Sequence, residues 1–159
     1  MSKQSLQFPN FFFETFQGTI FTNNSLEKCY CVVFILVSLF SKKDQHRIWL
    51  YKDLYDDVCR NEPSLTNRLK FVALCSDTPS SIKKLKGEVF DFFPILSIPD
   101  KKLFEQVGAL RTFSFFNIKA SEPARKTFLL DPNRVILWTW ESEELPPMDS
   151  LIHLLSTTP

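Results

Sequence analysis

The sequence predicts an α/β layer fold with helices on both faces of a central sheet. Two observations carry this. "CYCVVFILVSLF" and "LKFVALCSD" are continuously apolar, as strands covered on both faces must be. Around them lie segments with helical periodicity or helix-start signals. At 159 residues, 44% hydrophobic and 23% charged, the chain suits one globular domain over 1–159 and not a disordered segment.

The elements follow in order. "FPNFFFETFQGTIFTNNSL" alternates loosely and holds Gly18 and Asn23-Asn24, which reads as short strands in a hairpin. "CYCVVFILVSLF" is a central strand. From Asp44 to about Arg60, Ile48, Tyr51, Leu54, Tyr55 and Val58 recur at spacings of three and four, which predicts a helix with one apolar face. Ser41 or Asp44 caps its start. "LKFVALCSD" is the second buried strand. "TPSSIKKLKGEVFDFF" opens on a helix-start signal and closes a short helix at Gly87. "FPILSIPDKKLFEQVGAL" reads as a short extended piece and then a helix ending at Gly108, and "RTFSFFNIKASEPA" as an irregular connection. "RKTFLLDPNRVILWTWE" is a hairpin around Asp131-Pro132-Asn133, and "PPMDSLIHLLS" a final helix with Pro at its start.

Composition excludes several classes of function. Net charge is +1, so no global field favours nucleic acid or an anionic membrane. The longest apolar run, Cys29 to Phe40, is shorter than the roughly 20 residues a bilayer span needs. The start "MSKQSLQFPN" has no apolar signal core, which points to a cytoplasmic or equivalent soluble reducing compartment. There the four cysteines stay thiols. They give no zinc spacing, His46 and His153 stand apart, and no P-loop, dinucleotide or Ser-His-Asp motif is present. No cofactor or metal is expected.

Five strings in order, "VVFILVS", "YKDLYDDV", "FVALCSDTPSSIKKL", "FPILSIPDKKLFEQVGA" and "RKTFLLDPNRVI", resemble the peroxiredoxins. The bacterioferritin-comigratory type is the nearest pattern, and the resemblance runs from about Phe8 to Leu155. It implies a thioredoxin-like fold with a mixed central sheet. In that family the first long helix opens with Thr or Ser, two residues, and then the peroxide-attacking Cys, supported by an Arg from a later strand. The thiolate is the nucleophile, and a helix N-terminus and a guanidinium lower its pKa. Carried onto this chain, Ser41 matches the Thr and Arg125 the supporting Arg. The Cys position falls on Asp44, counting back from "YKDLY", or on Gln45, counting forward from "VVFILVS". Ser38 or a neighbour stands at the family's Pro, Arg47 at an acidic residue, and Arg134 at a Gly. No Cys occurs from Val32 to Val58, and neither a carboxylate nor an amide replaces a thiolate in peroxide chemistry and thiol exchange.

The remaining thiols read as structural. Cys29 and Cys31 are two apart on a strand, about 6.5–7 Å between Cα atoms, beyond easy disulfide reach. Cys75 ends the second strand, where strand C-termini face a cleft. Cys59, fifteen residues after Asp44, does not match the resolving Cys of relatives. The leading expectation is therefore a peroxiredoxin-like chain without peroxidase activity, kept as a binding or structural subunit. The alternative is a thiol oxidoreductase using Cys75 or Cys29/Cys31. A third reading is a binder using the old pocket of Ser41, Asp44 and Arg125, unless an Asp44–Arg125 ion pair closes it. Most of the 17 Phe fill the core, but Phe113, Phe115 and Phe116 are candidates for contact with a protein partner or a second copy.

Overall fold

The computed structural model describes residues 6–15, 18–82, 92–141 and 144–157. Its centre is a five-stranded mixed sheet. In chain order the contributing strands are β3 (Tyr30–Ile35), β4 (Leu69–Cys75), β5 (Ile95–Ser97), β8 (Thr127–Leu130) and β9 (Ile136–Trp140). Across the sheet the order is β5-β4-β3-β8-β9. β3 runs parallel to β4, and β4 to β5, whereas β3–β8 and β8–β9 are antiparallel. Two hairpins lie outside it, β1 (Phe12–Glu14) with β2 (Ile20–Thr22), and β6 (Leu110–Phe115) with β7 (Ile118–Pro123).

All six residues of β3 are buried, so its alternation sorts side chains between two cores. Tyr30, Val32 and Phe34 face a cluster closed by helices α1 (Lys42–Asn61) and α4 (Met148–Thr157), through Ile48, Tyr51, Val58, Leu151 and Leu155. Cys31, Val33 and Ile35 face the other cluster, closed by Phe8, Phe11 and Phe21 and by Leu103 and Phe104 of α3 (Lys102–Gln106). Helices therefore cover both faces, as expected. A short helix, α2 (Pro79–Ile82), follows β4. The expected helix end at Gly87 lies outside the described residues.

Two expectations need correction. The central strand stops at Ile35, and residues 36–41 form a loop. That loop is apolar because Leu36 and Leu39 are fully buried, which hides the strand end from a hydropathy reading. The segment "RTFSFFNIKASEPA" is a regular hairpin with Phe115 opposite Ile118. Its two-residue turn puts Phe116 at φ 48° and Asn117 at φ 63°, the paired positive values that hairpin turns favour. Glycine normally marks such a turn, and Phe-Asn conceals it. Arg134, placed by the resemblance at a Gly, does adopt a positive φ of 65°, a conformation that glycine takes readily. Its guanidinium donates to Phe8 O at 3.3 Å and Asn10 Oδ1 at 2.8 Å, which ties the N-terminal segment to the β8–β9 turn.

Candidate functional site

The site lies where β3 gives way to α1. Ser41 is the residue before the helix, with extended backbone (φ −74°, ψ 125°), and its Oγ accepts from Asp44 N at 3.3 Å. Ser41 is thus the cap. Asp44 is not: its carboxylate turns back into the loop and accepts from Val37 N at 2.9 Å and Ser38 N at 3.1 Å. Arg125, just before β8, donates Nε to Oδ1 at 2.8 Å and Nη2 to Oδ2 at 3.4 Å. Arg47, one turn along α1, donates Nη1 to Oδ1 at 3.2 Å and to Ile35 O at 2.9 Å.

Of the two candidate positions, only Asp44 belongs to this cluster. Gln45 donates instead to Leu39 O at 2.8 Å. The structure brings Ser41, Asp44 and Arg125 together, in a closed arrangement. Asp44 is 0% exposed, and five donors address its two oxygens. An ionised carboxylate offers about four lone-pair sites, so none remains aimed at a reactant. The arrangement can hold a loop against a helix and a strand. It has no group for nucleophilic attack.

A second carboxylate completes the clamp, and the sequence reading missed it. Asp77, beyond the end of β4, accepts from Ser38 Oγ at 3.1 Å and Leu39 N at 2.7 Å, while Ser97 Oγ donates to Asp77 O. The available signal was its place in "LCSD", at the strand-end edge of the sheet. Tyr51 was read as an apolar-face residue. It also spans the core, stacked on Phe34 at 3.9 Å between ring centroids with its hydroxyl hydrogen-bonded to Thr127 Oγ1.

All four thiols are free. At Cys31 and Cys75 burial dominates and works against the thiolate. Cys75 is fully buried against the site, with Sγ 3.7 Å from Leu96 O. Burial, and then the charge of Asp77, push its thiol up from 9.0 to about 12, the reverse of what a nucleophile requires. Burial likewise pushes Cys31 upward. Cys29 is buried beside Asn67 O, whereas Cys59 is half-buried. At pH 8 a disulfide reagent should therefore titrate one thiol promptly, Cys59, and the other three only after unfolding. Two or more prompt thiols would contradict this burial pattern.

These shifts also set an alkaline limit. Below pH 9 Cys75 is protonated in both states and contributes no pH dependence. Between pH 9 and about 12 the unfolded chain ionises and the folded one does not, so stability falls as pH rises. The loss is at most about 1.4 kcal/mol per pH unit from this thiol. Denaturant melts from pH 8 to 11 should show it, and a Cys75→Ala variant should flatten the slope.

The aromatic candidates are exposed. Phe113, Phe115 and Phe116 are 46%, 66% and 85% accessible on the β6–β7 hairpin, beside Ile118 at 68%. Among the described residues no cluster of three or more His, Cys, Asp or Glu side chains is placed to hold a metal, and no helix is long and apolar enough to cross a membrane.

No protein-family model and no curated protein matches the chain. Solved structures do. The bacterioferritin comigratory protein of Xanthomonas campestris, described for its alkyl peroxide reduction, superposes with a TM-score of 0.67 at 15% identity, over 91% of this chain and 88% of that one. Peroxidoxin BcpB of Mycobacterium tuberculosis gives 0.69 at 18% identity over 100% of both chains. A thiol peroxidase of Chromobacterium violaceum gives 0.70 at 15%, over 98% of this chain and 87% of that one. The fold is thus the peroxiredoxin-type, thioredoxin-like fold.

Proposed function

We propose that this chain is a peroxiredoxin-fold protein without peroxidase activity that acts as a binding or structural subunit in a soluble, reducing compartment. One observation carries the reading. At the start of the first long helix, where the fold's enzymes hold a thiol, a buried carboxylate is saturated by two guanidinium groups and two loop amides. The donors that would ionise a Cys and polarise a peroxide are spent on Asp44. The subunit role draws support from the β6–β7 hairpin, whose exposed Phe115, Phe116 and Ile118 form an apolar tip suited to a protein partner or a second copy.

The test is peroxide consumption by the purified protein with a thiol reductant, beside an Asp44→Cys variant. The wild type should not exceed the buffer rate. Asp44→Cys should consume peroxide, because Arg125 and the loop amides already surround the position. Wild-type turnover would overturn the reading. Single Cys→Ser changes would then identify the thiol, beginning with Cys75, which lies nearest the cluster, and continuing with Cys29, Cys31 and Cys59.

A further inference from the structure

The β6–β7 hairpin sorts its side chains by strand alternation. One face carries Thr112, Ser114, Lys119 and Ser121, and at its base Leu110 packs on the core while Pro123 is buried. That face is turned to the body of the chain. The other carries Phe113, Phe115, Ile118 and Ala120, and the Arg111–Glu122 ion pair closes it at the base. It looks away from the body, with Phe113 46%, Phe115 66% and Ile118 68% exposed, and Phe116 at the turn 85%. These four side chains leave on the order of 500 Å² of apolar surface open. A two-stranded hairpin with a bare apolar face is marginal in water, so the face calls for cover.

The cross-strand register identifies what fits it. Arg111 stands opposite Glu122, Phe113 opposite Ala120, and Phe115 opposite Ile118. Consider a second copy laid face to face about a twofold axis that runs along the hairpin. β6 of one chain then lies over β7 of the other, and each row meets its own complement. Arg111 faces the second copy's Glu122, the large Phe113 faces the small Ala120, and Phe115 faces Ile118. A twofold across the strands would instead lay β6 on β6 and set each charged pair against a phenylalanine tip, with no charge to meet it. We propose that two copies of this chain dimerise through the apolar faces of their β6–β7 hairpins, tips pointing the same way, with Arg111 of each chain against Glu122 of the other. The proposal rests on the subunit role inferred above and names its partner. The face is smaller than the roughly 800 Å² per partner of a standard interface, so the dimer is weak and its population depends on concentration.

Sedimentation velocity of the full chain over a concentration series tests it. The mean mass should rise with concentration toward that of two chains. Phe115→Ser, at an exposed position, should leave the melting midpoint of the dilute chain unchanged and weaken the dimer about tenfold or more. Arg111→Glu gathers four carboxylates at the base of the interface, and Glu122→Arg four guanidiniums, so each variant alone should stay monomeric. Mixed in equal amounts they should dimerise again, within about threefold of the wild-type affinity, because each chain then offers the charges the other lacks. The ion pair within each chain is absent from that mixture, so recovery reads the contact between chains and not the stability of the hairpin. A wild type that is monomeric throughout, a dimer unaffected by Phe115→Ser, single charge variants that dimerise like the wild type, or a mixture as monomeric as its components would each overturn the proposal. None of these results bears on the missing peroxidase activity, which the Asp44→Cys assay tests separately.

Discussion

Replacing Asp44 with alanine lowers the unfolding free energy by about 3–5 kcal/mol, the cost of removing one partner from a buried ion pair. The carboxylate is fully buried and neutralises two guanidiniums, of which Arg47 is 4% and Arg125 14% accessible. Its removal takes a buried counter-charge from both guanidiniums and takes from the Val37 and Ser38 amides the acceptor they share. For a chain of this size the melting midpoint falls by on the order of 10 °C. The exposed pair Arg60–Asp57, at 74% and 49%, is the internal control, and Asp57→Ala should stay within about 0.5 kcal/mol. Denaturant melts of both variants decide the matter. Equal, small losses would mean that Asp44 does not hold the loop. Asp44→Cys carries part of the same cost, so its peroxide assay belongs well below the midpoint.

Phe34→Ala should cost a similar 3–5 kcal/mol, by a different route. The ring is fully buried in the central strand, stacked on Tyr51 at 3.9 Å and edge-on to Phe93 at 5.8 Å. Removing it opens a cavity at the join of β3 and α1 and frees the ring whose hydroxyl meets Thr127. Phe116→Ala, at the exposed tip of the hairpin, should change stability by less than about 0.5 kcal/mol. The two melts together show whether this Phe-rich chain divides its rings between core and surface as described. A large loss in Phe116→Ala would place that ring in a packed interior.

Periodicity made the main elements legible. β3 and β4 stand out as unbroken apolar runs because both of their faces are covered, and α1 through Ile48, Tyr51, Leu54 and Val58 because one side meets the core. The end of β3 was not legible, since Leu36 and Leu39 continue the apolar run into a buried loop. The β6–β7 hairpin was hidden by exposed aromatic residues on a strand and by a turn built without glycine. At the site, the missing thiol and the positions of Ser41, Asp44 and Arg125 followed from the resemblance. Which of Asp44 and Gln45 turns inward did not, because one residue along a helix is a rotation of about 100°. Asp77 escaped because its partners, Ser38 and Leu39, lie far away in sequence and meet it only once β3 and β4 are paired.

The place of β3 in the sheet also has a consequence for how the chain leaves the ribosome. One of its neighbours is β4 and the other is β8, so Val33 pairs with Val72 on one side and with Phe128 on the other. At translation rates of roughly 5–20 residues per second, Phe128 emerges on the order of 5–20 seconds after Val33. During that interval this fully buried strand has at most one flank covered, and Asp44, which holds its adjoining loop, waits for Arg125, which emerges with the same late segment. A chain halted before Arg125 would therefore present an open β3 edge to other chains.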